Sequence, residues 1–200
     1  MWPFPRRPSS RTAGSGGPDP LPRLVAALPT LREHLDLQPT ANAGICLRPG
    51  KAKRRKGDAL LSQVEVDAAA GEALLWGTEI SGTSFKTAQD RYGYLWVVLK
   101  NSADFDGLVS ATGKVAAMVS EKGRRDHLVV ALFPFRQGQR EVFWVYSFTR
   151  QRFYPFAPLE EPRRDGELEL SMASTLEKAL PIEPQLERWY ALWGLPFDGA

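Results

Sequence analysis

The sequence predicts an α+β protein: a single domain with an antiparallel sheet flanked by helices. Three observations carry that prediction. Apolar residues recur at 3.6-residue spacing in Leu21–Leu37 and in Asp104–Lys122. Between and after these segments lie short runs of strand length rich in valine and aromatic residues: Thr83–Gln89, Tyr94–Lys100, Leu128–Phe135 and Glu141–Phe148. Successive runs are joined by turn sequences too short for a crossover, so neighbouring strands run antiparallel.

Taken in order, residues 1–20 hold five prolines with Gly14, Gly16 and Gly17 and have no periodicity, so a flexible leader is expected. The domain then covers 21–200. In Leu21–Leu37, Leu24, Leu28, Leu31 and Leu35 form one apolar stripe; Pro22 suits a first turn and Pro29 should end or kink the segment. His34 lies beside the stripe with no second ligand nearby and reads as structural or solvated. A short strand, Gly44–Arg48, leads into a basic loop at 49–57. Asp58–Ala70 reads as a helix capped by Asp58 and stopped by Gly71. Thr83–Gln89 and Tyr94–Lys100 form a hairpin about Asp90-Arg91-Tyr92-Gly93, and its second arm, apolar on both faces, suits a central strand. Asp104–Lys122 is the clearest helix, capped by Asp104 and ended at Gly123, with Phe105, Leu108, Val109, Val115, Ala116 and Val119 on its apolar face. Leu128–Phe135 and Glu141–Phe148 follow as strands, then Arg152–Phe156, closed by Pro155 and Pro158. A helix near Leu168–Leu180 and a terminal turn at Leu186–Trp193 complete the chain.

Composition narrows the function classes. One cysteine, Cys46, excludes an intrachain disulfide framework and a multi-thiolate metal site. Two histidines, His34 and His127, cannot build a three-histidine zinc centre. No apolar run reaches the ~20 residues of a membrane span, and the leader lacks the apolar core of a signal peptide, so a cytoplasmic protein is expected. The formal charge of +3 is uneven: residues 1–57 carry 11 basic and 3 acidic groups, residues 160–200 carry 4 and 9.

The usual catalytic arrangements are missing from the pattern. There is no phosphate-cradling glycine loop after a strand, no Gly-x-Ser-x-Gly and no His-Glu-x-x-His. Cys46 in a strand reads as a small apolar filler before it reads as a partner of His127. The carboxylate pairs Asp104/Asp106, Glu160/Glu161 and Glu167/Glu169 sit where helix starts and solvated loops place acids anyway. No catalytic residue, cofactor or metal is expected. Two features remain. The run Lys51, Lys53, Arg54, Arg55 and Lys56 is either a solvated loop or an anion-binding patch, and no aromatic residue interleaves it for base stacking. Phe143, Trp144, Tyr146, Phe148, Phe153, Tyr154 and Phe156 fall within 14 residues, more than one sheet face can bury, so they fill a core or leave a remainder exposed as a partner surface.

The C-terminal third also carries a family pattern. Phe153-Tyr-Pro-Phe-Ala-Pro-Leu159, Arg163-Arg-Asp165, Glu167-Leu-Glu-Leu170, Leu180-Pro-Ile-Glu-Pro184 and Arg188-Trp-Tyr-Ala-Leu-Trp-Gly194 resemble the PspA-associated protein PspAB family of actinobacteria and haloarchaea. Asp90-Arg-Tyr-Gly-Tyr-Leu-Trp-Val-Val98 and the stretch from Leu37-Gln-Pro-Thr40 to Cys46 extend the resemblance over roughly 21–196. The Pro/Arg/Gly leader and the basic run depart from it. The resemblance implies genomic association with phage-shock protein A (PspA) and the membrane metalloprotease HtpX, hence an envelope-stress role, and brings no catalytic residues. The strand and helix order is similar to the YbjN and type III secretion chaperone-like fold, whose members bind proteins; that similarity speaks to fold alone.

The expectation is therefore a non-enzymatic adaptor or regulator in a PspA-type envelope-stress response, cytoplasmic or recruited to the inner face of the membrane. Its partners would be a PspA-type protein and an HtpX-type protease. The expected contact surface is Phe153, Tyr154, Phe156, Trp189, Tyr190 and Trp193, with Arg163 and Arg164 as its polar rim. The alternative is a nucleic-acid or anionic-lipid binding module built on the 51–56 run with Arg6, Arg7 and Arg48; specific nucleic-acid recognition is not expected. An enzyme of another class would need convergent polar groups in a pocket.

Overall fold

The computed structural model describes residues 19–48, 82–101 and 104–197. The expected leader up to residue 18, the basic run Lys51–Lys56 and the helix Asp58–Ala70 lie outside the described residues. Among those described, seven strands pair in the order β3-β4-β2-β5-β6-β7, with β1 on β5, and four helices accompany them. The protein is α+β, and the pairings of β1 with β5, β2 with β4, β3 with β4 and β6 with β7 are antiparallel. Backbone contacts divide the chain into two compact units, residues 1–40 with 132–193 and residues 41–131 with 194–200.

The second unit is built on a hairpin. β3 (Ser84–Gln89) and β4 (Leu95–Lys100) pair from Ser84↔Lys100 to Gln89↔Leu95. Asp90 makes the turn: its Oδ1 accepts from the amides of Tyr92 and Tyr94, both at 2.9 Å, while Gly93 takes the positive φ of 84° that a side chain would resist. The other oxygen, Oδ2, accepts from Trp96 Nε1 at 2.9 Å, tying the turn to the first core residue of β4. β2 (Asn42–Leu47) pairs with the other edge of β4, which makes β4 a central strand, and Leu95–Leu99 are buried without a break, as their unbroken apolar run predicts.

Helix α3 (Phe105–Val119) lies against β2 and β4 and buries all six apolar residues of its predicted stripe. Asp104 caps it through both carboxylate oxygens, accepting from the amides of Asp106 and Gly107 at 3.1 Å. Buried Asn101 sets this corner: its amide donates to Ala41 O and its side chain bonds Thr83 Oγ1 and the Asp104 amide. A Cβ on Gly107 would stand 2.8 Å from Asn101 Nδ2, which is why a glycine is accepted inside this helix. The expected stop at Gly123 is different in form. The α-helical part ends at Val119 and runs into a π-helical turn, Ser120–Arg124, and a 3-10 turn, Arg125–His127.

The first unit holds the terminal helices and the aromatic strands. The predicted segment Leu21–Leu37 is two helices, α1 (Arg23–Ala26) and α2 (Leu28–Leu35), because Pro29 can occupy only a first turn and so starts a new helix. Leu24, Leu31 and Leu35 are buried, and Asp36 ends α2 at a φ of 52°. Asp19 belongs to the fold: its Oδ1 accepts from the Leu21 amide and, at 2.7 Å, from Tyr146 Oη. β1 (Gln38–Pro39) pairs with the end of β5 (Leu128–Gln137), opposite Arg136 and Phe135. β6 (Arg140–Ser147) and β7 (Arg152–Phe156) form the second ladder, Phe143↔Phe156 to Ser147↔Arg152. Pro155 lies inside β7 opposite Trp144 instead of closing the strand. The last helix, α4 (Gly166–Leu176), starts earlier than expected because Asp165 caps it, and it stops four residues short of Leu180. There the amides of Ala179 and Leu180 both turn back to Leu176 O ahead of Pro181.

The cap on α3 gives a direct test. Asp104→Ala removes two hydrogen bonds that nothing else supplies and should lower stability by ~1 kcal/mol. At this chain length that is roughly 2–4 °C in Tm, read by thermal unfolding.

Candidate functional site

The residues that the sequence marks as a contact surface all belong to the first unit, so the site is built from that unit alone. Its floor is the β6–β7 ladder. Phe143, Trp144, Tyr146, Phe153, Tyr154 and Phe156 are buried, and only Phe148 of the aromatic run is half-buried. Alternation alone would expose some of them. They are all covered because both faces of β6 are covered: six successive residues, Val142–Ser147, are buried. The rings meet in pairs, Phe143 stacked on Phe156 at 5.9 Å and Tyr146 tilted against Phe153 at 4.8 Å.

Over this floor runs the irregular segment after α4. Residues 181–183 lie along β7, with Phe153 N donating to Pro181 O at 2.9 Å and Glu183 N donating to Phe153 O at 2.8 Å. Trp189 is anchored twice, by its Nε1 on Glu183 O at 2.9 Å and by its carbonyl, which accepts from Arg164 Nη1 at 2.6 Å. Trp193 meets Phe156 edge-on at 5.1 Å.

Arg164 joins floor and cover. Its Nε reaches both oxygens of Glu169, at 2.9 and 2.8 Å, and its Nη2 stands 2.7 Å from Oε2 as a charge contact off the hydrogen-bonding angle. Its guanidinium also sits 5.4 Å above the Phe156 ring. Glu169 is 3% exposed and accepts in addition from the Ala157 amide at 2.8 Å. Burial raises its pKa; the hydrogen bonds from Arg164 and Ala157 and the Arg164 charge oppose that shift without cancelling it, and Asp165 adds to it.

Of the predicted contact residues, Phe153, Tyr154, Phe156 and Trp189 are therefore core, while Arg164 holds the cover on. Arg163 is exposed, and Tyr190 and Trp193 are half-buried. These three are the part of the predicted surface that a partner can reach. Of the basic groups, Arg6, Arg7 and the run Lys51, Lys53, Arg54, Arg55, Lys56 lie outside the described residues. Arg48 is in the second unit, half-buried, with its amide donating to His127 O at 2.7 Å.

Cys46 and His127 of the second unit are held by the fold. Cys46 is fully buried and burial drives its thiol pKa up, with Asp90 adding and Arg48 opposing. A thiol kept protonated in this way is a poor nucleophile. His127 Nδ1 lies 2.8 Å from Arg48 O. Among the described residues, no group of three His, Cys, Asp or Glu side chains could hold a metal ion. No described helix is long and apolar enough to cross a membrane.

Against known families, residues 9–197 match the model of PspAB, described as PspA associated protein B. The chain belongs to the PspAB family. The match takes in both units and nearly the whole length, including the C-terminal block that covers β7. No curated protein and no solved structure matches this PspAB chain.

Two residues of this PspAB site were not singled out from sequence. Glu169 was visible only as half of an acidic pair, yet with Met172, Ala173 and Leu176 it shares the i, i+3, i+4, i+7 stripe of α4, a spacing that marks a buried acid. Glu183 is enclosed by Ile182 and Pro184, with nothing periodic to reveal it.

Removing one member of the buried pair should cost more than removing both. Arg164→Met should destabilise by about 3 kcal/mol, the lower end for a broken buried pair because Arg164 keeps about a quarter of its surface in water. Arg164→Met with Glu169→Met should recover part of that loss in denaturant titrations. A pH effect also follows. The folded pKa of Glu169 is raised, so above its unfolded value near 4.5 the folded state holds the proton more tightly, and stability from this group falls as pH rises toward the folded pKa. The stability of the wild type relative to Glu169→Gln should decline over that window in unfolding curves taken from pH 4 to 7.

Proposed function

We propose that this PspAB protein is a non-enzymatic adaptor or regulator that acts by direct contact with a PspA-type protein in an envelope-stress response. The observation that carries the reading is family membership over residues 9–197, in a family described by its association with PspA. The arrangement of polar groups supports it: the buried acid Glu169 is bound by an arginine that in turn fixes the chain, which is structural use of charge. Contact takes place through Arg163, Tyr190 and Trp193, residue types that dominate binding energies where they are well buried by a partner. Phe156 behind Trp193 gives that ring a fixed backing. The protein works in the cytoplasm and reaches the inner face of the membrane through its partner. An HtpX-type protease as second partner rests on the sequence resemblance alone.

The test is direct binding of the purified chain to the purified PspA-type protein, with Tyr190→Ala and Trp193→Ala alongside. Each variant should stay folded and bind about tenfold or more weakly, equivalent to ~1.4 kcal/mol. A wild-type chain that does not bind overturns the reading; folded variants that bind unchanged overturn the contact surface.

A further inference from the structure

The first unit buries two glutamates beside arginines, and the two are treated differently. Glu169 is saturated: Arg164 Nε bonds it at 2.8 and 2.9 Å. Glu183, also 3% exposed, is approached by two arginines that stop short of it. Arg150 Nε is 3.6 Å from its Oε2, and Arg188 Nη1 is 3.7 Å from its Oε1. Both distances exceed the ~3.2 Å limit of a good N–H···O bond. Among the described residues, the one hydrogen bond to this carboxylate is from the Gln185 amide to Oε1 at 3.2 Å, and Oε2 accepts none. The backbone of Glu183 is pinned on both sides. Its amide is on Phe153 O and its carbonyl holds the Trp189 indole.

The result is a pair of guanidinium groups attracted to one point by charge, with their donor edges left over. Arg150 also lies over the Tyr190 ring at 5.9 Å, and both arginines reach solvent, at 28% and 42% exposure. Arg152 stands nearby with one nitrogen on Ile182 O at 3.0 Å. Arg150 and Arg188 thus flank a single buried carboxylate, with Arg152 bonded to the residue before it and exposed Glu187 the other acid of this segment.

We infer that Arg150 and Arg188, both drawn to Glu183 and the first of them backed by Tyr190, are a docking site for an acidic protein segment, whose Asp or Glu carboxylates take the unused guanidinium edges. The inference deepens the protein-contact reading above and rests on it. Charge complementarity selects an acid, and the planar two-donor edge of arginine selects a carboxylate that can be gripped at both oxygens. An anionic membrane surface is less well served here, because such surfaces draw on a broad basic field and Glu187 opposes one.

The experiment uses the full chain and a twelve-residue glutamate peptide, followed by calorimetry at low and physiological salt. Wild type should bind. Arg188→Gln should weaken binding about tenfold and Arg150→Gln/Arg188→Gln should abolish it. Arg188→Lys keeps the charge but loses the two-donor edge, so it should fall most of the way toward Arg188→Gln. Replacing the five basic residues of 51–56 by serine should change binding less than about threefold, since none of them belongs to the proposed site. Should Arg150→Gln fail to fold, the more exposed Arg188 variants decide. The inference is overturned if wild type ignores the peptide, if the double variant binds it unchanged, or if the serine replacement alone abolishes binding. Binding to phosphatidylglycerol vesicles without binding to the peptide overturns it equally. A double variant that loses the peptide yet keeps full affinity for the PspA-type protein overturns the site as that partner's seat and leaves the adaptor reading intact. A wild type that binds the peptide but not the PspA-type protein supports the site and removes the adaptor reading.

Discussion

The arginine–glutamate contact between Arg164 and Glu169 is the constraint on which the rest of the first unit depends. An ionised carboxylate inside a protein is tolerated only when its lone pairs are occupied. Here they are occupied by the guanidinium and by the amide of Ala157, just past the end of β7. The same guanidinium then has one nitrogen left, and it holds the carbonyl of Trp189. A helix, the exit of a strand and an irregular covering segment are thereby fixed at one point. Backbone bonds to β7 hold the covering segment at residues 181–183, and the Arg164 guanidinium holds it again at Trp189.

Much of this fold was legible because its elements obey simple periods. The hairpin about Asp90 and Gly93, the capped helix after Asp104 and the strand Arg152–Phe156 stand where spacing and turn chemistry place them. The irregular points have local causes. Pro29 was expected to end or kink the Leu21–Leu37 helix; the segment does divide there, with Pro29 in the first turn of a second helix, since a proline is as well suited to a first turn as it is unsuited to an interior. Gly123 invited a left-handed stop, yet the helical path continues through a π turn to His127.

The site was less legible than the fold. Residue type alone marks Phe153, Phe156 and Trp189 as good contact residues, but the same properties make them good core residues, and burial decides between the two. The covered second face of β6 could not be read from β6 itself, because it is supplied by segments far along the chain. What sequence does retain is the polar remainder: Arg163, Tyr190 and Trp193 keep accessible surface. Glu183 escaped notice for the opposite reason, its environment being set by long-range backbone bonds to β7.

Residues 181–183 bond the outer edge of β7, taking both the amide and the carbonyl of Phe153. During synthesis that strand leaves the ribosome before its cover does. For that interval the nascent chain presents an open strand edge beside a cluster of large rings, a combination that invites pairing with other chains. The order of the sequence thus gives the newborn protein a vulnerable period that ends only when its covering segment arrives, and a chaperone able to shield aromatic strands would act on it in that period.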